Sequence, residues 1–514
     1  MAKPDDGTYR PAAGVALATG TAADTHESFS WGYSRLGDDR LREECGVFGI
    51  IGHADAAAIT ALGLHALQHR GQEAAGIVSF DGMQYHTERR MGLVGDNFSR
   101  SDVIGRLKGS IAVGHVRYST TGETILRNVQ PLFADLGTGG FAVAHNGNLT
   151  NAHTVRQALV KDGALFQSTT DTEVILHLLA RSQKRRMVER LIEGLRQLEG
   201  SFAFACMSND TLIAARDPVG IRPLLIGRLG EAYVVASETC ALDIVGAQFL
   251  REVENGEVVT ITSERGIESH RPFPMRPARP CIFEYIYFAR PDSIVGGRSV
   301  YEVRKRMGME LARETPCNAD VVVPIPDSGV PAAIGYSQAS GIAYELGIIR
   351  NHYVGRTFIE PEQKIRALGV KLKHSANSAV VRGKRIVLID DSIVRGTTSQ
   401  KIVAMMYEAG AREVHMRIAC PEIKFGDYYG IDTPDRKQLI SAQKSPEEVR
   451  AMIGATSLAF LTVDGLYRAM GQPSRDDKCP QFSDHCFTGD YPTELTDLNG
   501  GGAGPQLSLL TEVG

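Results

Sequence analysis

The chain has 514 residues, of which 43% are hydrophobic and 23% are charged, a composition typical of a globular protein with room for two cores. Its 56 basic and 60 acidic side chains leave a net charge of −4, which gives no support for bulk binding of nucleic acid. No apolar run approaches the ~20 residues of a membrane helix, and eight cysteines without a C-x-x-C pair predict a cytoplasmic protein with reduced thiols.

Residues 1–44 are rich in Ala, Gly, Thr and Asp and show no sustained period, which predicts a disordered leader. They also lack the apolar segment of a signal peptide. The patterned sequence begins at "CGVFGI", where Cys45 precedes a strand-like run.

A cysteine nucleophile at this position needs a base. Two histidines, His115 and His145, adjoin a glycine or an asparagine in predicted strand-end turns. Alternatively, cleavage after Glu44 would free the α-amine of Cys45, whose pKa of about 8 suits a base for its own side chain. The second route explains why the patterned domain starts at the thiol, and it makes residues 1–44 a removable propeptide.

Residues 45–270 form the first predicted domain. Short β-type runs recur, among them "GVFGII", "AGIVSF", "SIAVGHVRYS", "FAVAHNG", "SFAFACM", "TLIAARD" and "AYVVAS". Two helix-like stretches, "AAAITALGLHALQHR" and "DTEVILHLLARS", interrupt them. Many strands with few helices indicate a layered α/β domain built on antiparallel sheets.

Four motifs of this domain follow one another in the order "CGVFGI", "HALQHRGQEAAGI", "GHVRYSTTG" and "HNGNL". Together they resemble the N-terminal-nucleophile glutamine amidotransferases. The resemblance implies an αββα fold in which a thiolate attacks the side-chain amide of glutamine and releases ammonia. It assigns Cys45, Asn146 and Gly147 to catalysis, the last two as the oxyanion hole, and Arg70, Gly71, Arg117 and Asp171 to glutamine binding.

Each of these positions also has a simpler explanation. Arg117 could lie on an exposed strand, Asn146–Gly147 could form a hairpin turn, and Asp171 could cap the helix "TEVILHLL". The ordered set as a whole favours the glutaminase interpretation.

The stretch "RPFPMRPARPC", residues 271–281, holds four prolines and predicts a linker. Beyond it, "ADVVVPIPDSGVPAAIGYSQASG" and "KRIVLIDDSIVRGTTSQKIVAMMYEAGA" each read as a buried strand, a polar turn and a helix. This pattern is typical of a doubly wound parallel sheet. We therefore predict a second domain over 271–495 and a flexible tail over 496–514.

The most specific stretch of this second domain is "VLIDDSIVRGTTS", residues 387–399. An apolar strand delivers Asp390 and Asp391 to the carboxyl end of the sheet, where ligands of such folds bind. The helix that opens at Gly396 would present free N–H groups to a phosphate. Acids beside a phosphate repel it unless they bind ribose hydroxyls or a hard cation such as Mg²⁺. A solvated acidic loop followed by an N-cap would explain Asp391 or Thr398 alone.

This stretch resembles the phosphoribosyl-pyrophosphate (PRPP) motif of type I phosphoribosyltransferases. The resemblance implies that the two acids bind the ribose and Mg²⁺ and that the loop after them binds the 5-phosphate. It also implies that the turn "PIPDSGVP" faces the pyrophosphate. For that turn, a plain connection between strand and helix is the alternative. The assigned residues are Asp327, Ser328, Gly329, Asp390, Asp391, Arg395, Gly396, Thr397, Thr398 and Ser399, with Ser328, Asp390 and Asp391 as metal ligands.

A basic segment, "RNHYVGRTFIEPEQKIRALGVKLKHSAN", lies between these two motifs. Such runs are usually solvated surface. Beside a pyrophosphate site, this one is predicted to close as a lid that excludes water, with Arg356 and Lys373 contacting phosphates.

The order of a glutaminase and then a phosphoribosyltransferase resembles the amidophosphoribosyltransferase family, from Cys45 to about residue 492. The resemblance implies that ammonia displaces pyrophosphate from C1 of PRPP, giving 5-phosphoribosylamine in the first step of de novo purine synthesis. It also implies inhibition by purine nucleotides and a homotetramer. Tyr285 in "IFEYIYFARPDS" would line an ammonia channel, or simply pack in an interdomain core.

Some members of that family carry a [4Fe-4S] cluster on four cysteines. Cys240 after "ASET" fits the first position, but Asp427 stands at the second, and Cys479 and Cys486 form no close pair. A cubane cluster needs four ligands, so the sequence favours the branch without a cluster.

Two rival functions differ from this prediction in testable sequence features. Sugar-isomerising amidotransferases and asparagine synthetases share the glutaminase domain but lack the loop of Asp390 and Asp391. A PRPP-sensing regulator of transcription would not need Cys45 and would need a DNA-binding module or basic face, which the sequence does not show.

Overall fold

The computed structural model describes residues 45–118, 125–351, 374–433 and 436–499. The predicted leader and the lid residues Arg356 and Lys373 lie outside these ranges. Within them, no helix is both long and apolar enough to cross a bilayer.

The strands of the described chain are β1 Gly46–Ile51, β2 Ala74–Phe80, β3 Tyr85–Met91, β4 Ile111–Arg117, β5 Leu132–Leu136, β6 Gly139–Leu149, β7 Gly200–Ser208, β8 Thr211–Arg216, β9 Leu225–Leu229, β10 Ala232–Ala236, β11 Gln248–Glu252, β12 Val258–Thr262, β13 Gly266–His270, β14 Ile294–Val295, β15 Arg298–Ser299, β16 Val321–Pro324, β17 Ile348–Arg350, β18 His374–Ala376, β19 Arg385–Asp390, β20 Glu413–Ile418 and β21 Ser457–Phe460. The α-helices are α1 Ala56–Ala66, α2 Val94–Phe98, α3 Ser101–Ile104, α4 Ala152–Lys161, α5 Glu173–Arg181, α6 Met187–Leu195, α7 Thr239–Val245, α8 Val300–Glu314, α9 Val330–Ser340, α10 Ser378–Val381, α11 Thr397–Glu408, α12 Ile440–Gln443, α13 Pro446–Ile453, α14 Val463–Ala469, α15 His485–Thr488 and α16 Thr496–Asn499.

Two antiparallel sheets build the first domain. One has the order β11-β9-β10-β1-β4-β2-β3 and the other the order β13-β12-β8-β7-β6-β5. Apolar side chains from both sheets fill the space between them. Helices α1 and α7 cover the outer face of the first sheet, and α5 and α6 cover that of the second. The predicted αββα layering is confirmed.

The alternation of side chains along β1 shows how the sequence determines which layer each residue faces. Val47 and Ile51 face the second sheet, whereas Phe48 and Ile50 point to the helices, because successive side chains of a strand face opposite ways. The helix α1 then packs closely on Phe48, since a Cβ added to Gly63 would lie 2.2 Å from the Phe48 ring. A glycine inside this helix is thus explained by packing.

The second domain contains a parallel sheet of order β16-β19-β20-β21. Two of its strands, β16 "VVVP" and β19 "RIVLID", read as apolar runs, as expected where helices bury both faces of such a sheet. On one side α8 and α9 cross closely, with a Cβ added to Gly308 only 1.8 Å from the Ala332 carbonyl oxygen. In the predicted linker, residues 271–281, residues 271–280 form no helix or strand, and Cys281 forms an isolated β-bridge with Ser483. The doubly wound sheet of the prediction is confirmed.

The predicted tail boundary at residue 496 needs correction. Residues 496–499 form α16, which hydrogen-bonds to the first domain. The Asp497 carboxylate accepts the backbone N–H groups of His153 and Thr154 at 2.8 and 3.0 Å, and so caps the start of α4. Local composition predicted fraying, but the cap joins residues distant in sequence, which composition does not report.

Candidate active sites

The predicted nucleophile, Cys45, lies directly before β1, in the middle of the first sheet. Its Sγ donates a hydrogen bond to the Tyr118 carbonyl oxygen at 3.5 Å. Burial raises the pKa of the thiol to about 11, and the charge of Arg117 opposes that rise. A thiol with this pKa is protonated at neutral pH, so attack on a substrate requires a base that takes its proton.

Both candidate histidine bases form hydrogen bonds with groups other than Cys45. His115 Nε2 donates to the carbonyl oxygen of His145 at 3.0 Å. The His145 ring lies 3.0 Å from Thr172 Oγ1 and 3.2 Å from the Ser201 carbonyl oxygen. Burial lowers the pKa of both rings, that of His115 to about 3. Neither ring has a hydrogen bond to Cys45 in the described structure, so the geometry gives no support to a histidine base.

Asn146 and Gly147 lie inside β6 rather than in a hairpin turn, paired with Ala203 and Phe202 of β7. The Asn146 side chain is fully buried, and neither its amide nitrogen nor its oxygen has a hydrogen-bond partner within the described ranges. An unpaired buried amide costs about 1–3 kcal/mol, which is typical of a group kept for a ligand. Gly147 has φ +139°, and an added Cβ would lie 2.3 Å from the Ser201 carbonyl oxygen.

Opposite charges lie near the thiol. Arg117 is buried at the end of β4, so it is not on an exposed strand. Burial lowers its pKa, but the negative charges of Glu73 and Asp171 oppose that shift. The Asp171 carboxylate accepts the Leu149 N–H at 2.9 Å and makes no cap to α5. A cation and two carboxylates beside a thiol complement a zwitterionic amino acid such as glutamine.

Of the two remaining glutamine-binding candidates, Gly71 lies beside Arg117, whereas the Arg70 side chain lies at the domain interface. Gly71 packs on the backbone of Arg117, where an added Cβ would lie 2.6 Å from the Arg117 nitrogen. The Arg70 side chain instead forms ion pairs with Glu238 and Glu284. The assignment of residues 70–71 to the loop that lines the glutamine pocket stays a prediction, in which the backbone of Arg70 would face the pocket.

A buried group of charges joins the two domains. Glu284 begins a π-helical turn, Glu284–Phe288, just after the linker. It pairs with Arg70 and lies 3.6 Å from Arg222, which donates to the Tyr429 carbonyl oxygen at 3.1 Å. These ionic side chains are at most 1% exposed. These charges cannot be recognised in the sequence, because single Glu and Arg residues far apart form no pattern. The motif "FEY" at the domain junction, which contains Glu284, is a weak local signal.

The Glu284→Gln variant tests this interface. It leaves two buried guanidinium groups short of a carboxylate, and breaking such a pair costs about 3–5 kcal/mol. We expect the apparent Tm of the full chain, scanned at a fixed rate, to fall by several degrees. The control is Glu231→Gln, which removes an exposed pair with Arg228 and should change stability by less than about 1 kcal/mol. Equal shifts in both variants would contradict the structural importance of the buried group.

Those predicted PRPP residues that the structure describes follow two neighbouring strands at one edge of the parallel sheet. Strands β16 and β19 are neighbours, with Pro324 opposite Ile389, so the loops that follow them leave together. Asp390 and Asp391 are each 6% exposed. The Asp391 Oδ2 and Ser328 Oγ atoms are buried and have no hydrogen-bond partner in the part of the chain described. Unpaired oxygens of this kind suit a hard cation such as Mg²⁺.

The loop after Asp391 has the form of a phosphate cradle. Gly396 has φ +80° and precedes α11, which begins without a side-chain cap. Because the residue at the N-cap position is a glycine, it offers no side chain of its own to cap α11, and the phosphate role of this loop stays a prediction. Ser399 is buried in its first turn, while Arg395 Nε donates to Gln438 Oε1 at 3.2 Å.

The turn after β16 is tied to the same edge. A Cβ added to Gly329 would lie 2.5 Å from the Ile389 carbonyl oxygen, so only glycine permits this approach. The Asp327 carboxylate forms an ion pair with Arg350, the first cation of the predicted lid segment. These contacts fix the turn beside the end of β19, and its role in binding pyrophosphate stays a prediction.

The cysteines do not assemble a cluster site in the described residues. The only group of at least three ligating side chains within 4.8 Å there is Asp427, His485 and Cys486. Cys240 Sγ lies 3.7 Å from Glu238 Oε2. Within the described ranges, no four cysteine sulfur atoms therefore lie within ligating distance of one another.

Comparisons with known proteins now decide the family. Residues 115–243 match the glutamine amidotransferase domain model and residues 300–434 match the phosphoribosyl transferase domain model. An amidophosphoribosyltransferase of Rhizobium etli is 61% identical over 484 residues, which span 93% of this chain and 98% of the relative. The chain belongs to the amidophosphoribosyltransferase family. The amidophosphoribosyltransferase of Bacillus subtilis is 51% identical over 88% of this chain and 95% of its own length.

A solved structure agrees with this assignment. The glutamine PRPP amidotransferase of B. subtilis, complexed with ADP and GMP, superposes with a TM-score of 0.83 at 50% identity, over 88% of this chain and 98% of that one. The chain is thus an enzyme, a glutamine-dependent amidophosphoribosyltransferase of purine biosynthesis. The alternative of a PRPP-sensing regulator is not favoured.

Proposed function

We propose that the chain makes 5-phosphoribosylamine through two half-reactions, one in each domain. The observation that carries this division is the occurrence of unpaired buried polar groups at two separate places. The Asn146 amide is unpaired in β6 of the glutaminase domain, and the Asp391 and Ser328 oxygens are unpaired at the edge of the parallel sheet.

In the glutaminase half, the Cys45 sulfur attacks the side-chain amide carbon of glutamine. Its proton passes to the α-amine and then to the leaving nitrogen, so a thioester forms as ammonia departs, and water later releases glutamate. The Asn146 amide and the Gly147 N–H stabilise the oxyanion, each by about 2.7–4 kcal/mol. Arg117 binds the α-carboxylate and Asp171 the α-ammonium, while the backbone of 70–71 closes the pocket.

This proposal includes removal of residues 1–44. A thiol whose pKa is about 11 needs a neighbouring base, and both histidines are bonded to other groups. A free α-amine on the same residue, with an ordinary pKa of about 8, supplies that base. Cleavage after Glu44 is what creates it.

In the transferase half, Asp390 and Asp391 hold the ribose hydroxyls, and residues 395–399 hold the 5-phosphate. The turn of Asp327, Ser328 and Gly329 faces the pyrophosphate, and Arg356 and Lys373 complete the lid. Ammonia bonds to C1 as the bond to the pyrophosphate oxygen breaks, with inversion at that carbon. Mg²⁺, held by Ser328, Asp390 and Asp391, would neutralise charge on the leaving pyrophosphate when bound.

Several wider features complete the proposal. The Tyr285 ring, fully buried with its hydroxyl donating to the Val295 carbonyl oxygen at 2.8 Å, borders the path of ammonia between the domains. The enzyme works in the cytoplasm as a homotetramer and without a [4Fe-4S] cluster. Purine nucleotides inhibit it, a proposal supported by the B. subtilis relative that was solved with ADP and GMP.

The test is a nitrogen-tracing assay on the full enzyme with PRPP, Mg²⁺, amide-labelled [15N]glutamine and a background of unlabelled ammonium. We expect one glutamate and one pyrophosphate per product, with the product nitrogen drawn from the labelled amide. Glutamate formation without pyrophosphate release would reject the proposed reaction.

A further inference from the structure

A loop of the transferase domain lies directly on the proposed oxyanion strand. Gly430 has φ +122°, and a Cβ added to it would lie 3.2 Å from the Gly147 Cα and carbonyl carbon. Beside this contact, Asn148 Nδ2 donates to the Tyr428 carbonyl oxygen at 2.9 Å. The backbone of residues 428–430 therefore forms the surface against which Gly147 rests.

Asp427 shapes this loop from within. Its Oδ1 accepts the N–H groups of Tyr429 and Ile431 at 2.7 and 2.9 Å. These two residues flank Gly430, so a single carboxylate oxygen fixes the chain on both sides of the contact with Gly147. The Asp427 side chain is fully buried.

His485 holds the other oxygen of the same carboxylate. Its Nε2 lies 2.8 Å from Asp427 Oδ2, and its Nδ1 lies 2.9 Å from Ser483 Oγ. Burial alone would raise the pKa of Asp427, but the hydrogen bond from His485 and the charges of His485 and Arg222 bring it below its usual value. The loop is therefore organised by an ionised, fully bonded carboxylate.

We propose that the Asp427–His485 pair positions the glutaminase site from the transferase domain, by holding Gly430 against Gly147 and thereby fixing the Gly147 N–H in the oxyanion hole. This inference rests on the oxyanion role proposed for Gly147. Both residues are positioning residues, since neither contacts glutamine or PRPP in the proposed mechanism. A displacement of about 1 Å at such a donor can cost a factor of about 10² in rate.

The Asp427→Asn variant of the full enzyme tests the inference. An amide keeps one oxygen for the two N–H groups but loses the charge and the acceptor that faces His485. We expect kcat for glutamine-dependent turnover to fall about 10- to 100-fold, while KM for glutamine changes less than about twofold because Arg117 and Asp171 are untouched. Ammonia-dependent turnover and the rate of Cys45 alkylation by iodoacetamide should stay within about twofold.

A second variant changes the contact with Gly147 and keeps the side chains of Asp427 and His485. Gly430→Ala adds a Cβ beside Gly147 at a φ of +122°, which also strains the loop backbone, and should give the same fall in kcat with ammonia-dependent turnover preserved. The matched control is Glu310→Gln, which alters a buried carboxylate of the same domain that pairs with Arg468 at 2.8 Å. Its kcat with glutamine should remain unchanged.

The outcomes distinguish a failure of the positioning role from a failure of the oxyanion role proposed for Gly147. Equal losses with glutamine and ammonia in Asp427→Asn, or an equal loss in Glu310→Gln, would assign the pair a merely structural role and overturn the proposal. Asn146→Ala is measured in parallel. If it keeps the glutaminase rate, the proposed oxyanion hole itself fails; if it loses that rate while Asp427→Asn does not, only the positioning role fails.

Discussion

Replacing Cys45 with alanine is expected to abolish glutamine-dependent synthesis, with a loss of at least about 10⁴-fold in kcat, the scale seen when a nucleophile is removed. Ammonia-dependent synthesis should survive within about twofold, because Asp390, Asp391 and their loop belong to the other domain. The measurement is initial-rate pyrophosphate release with each nitrogen source at saturating PRPP.

The control for this prediction is Cys479→Ala, which removes an exposed thiol of the transferase domain. It should change neither rate, which would exclude a general effect of thiol loss. If Cys45→Ala lost both activities equally, the division of labour between the domains would be wrong.

Replacing Asp391 with asparagine is expected to weaken PRPP use with both nitrogen sources alike. The Asp391 Oδ2 atom is buried and unpaired in the described chain, and hydrogen bonds to charged groups contribute about 1.5–3 kcal/mol. We therefore expect kcat/KM for PRPP to fall about 10- to 100-fold, whether glutamine or ammonia supplies the nitrogen.

Asp320→Asn, a matched substitution at the opposite end of the same sheet, is the control for the loss of one negative charge. Asp320 precedes β16 and pairs with Arg385, the first residue of β19, at 2.6 Å. Because exposed ion pairs contribute about 0–1 kcal/mol, Asp320→Asn should leave kcat/KM nearly unchanged. A defect of Asp391→Asn confined to the glutamine reaction would place Asp391 outside the transferase site.

The sequence predicted those parts of the fold whose signal is local. Alternation in "GVFGII" sets both faces of β1, and the strand, turn and helix of residues 387–399 need only their own residues to be recognised. The strand β3, "YHTERRM", is harder to predict, because an edge strand with charged side chains lacks the apolar alternation that marks the interior.

The unpredicted parts of the site depend on contacts between distant residues. The motif assigns the loop of Arg70 to the glutamine pocket, but it does not show that the guanidinium pairs with Glu284, 214 residues away. The sequence marks Asp427 only as a residue in place of a cluster cysteine, although its hydrogen bonds to His485 and the loop bring Gly430 onto Gly147. A single sequence does not show which distant residues are in contact, since each partner taken alone is an ordinary polar residue.

We infer that the active enzyme begins at Cys45, with the sulfur and the α-amine on one residue. Intact-mass measurement and N-terminal sequencing of enzyme selected for glutamine-dependent activity check this inference. We expect a single species that lacks residues 1–44 and starts at Cys45. Fully active enzyme whose chain still begins upstream of Cys45 would contradict it.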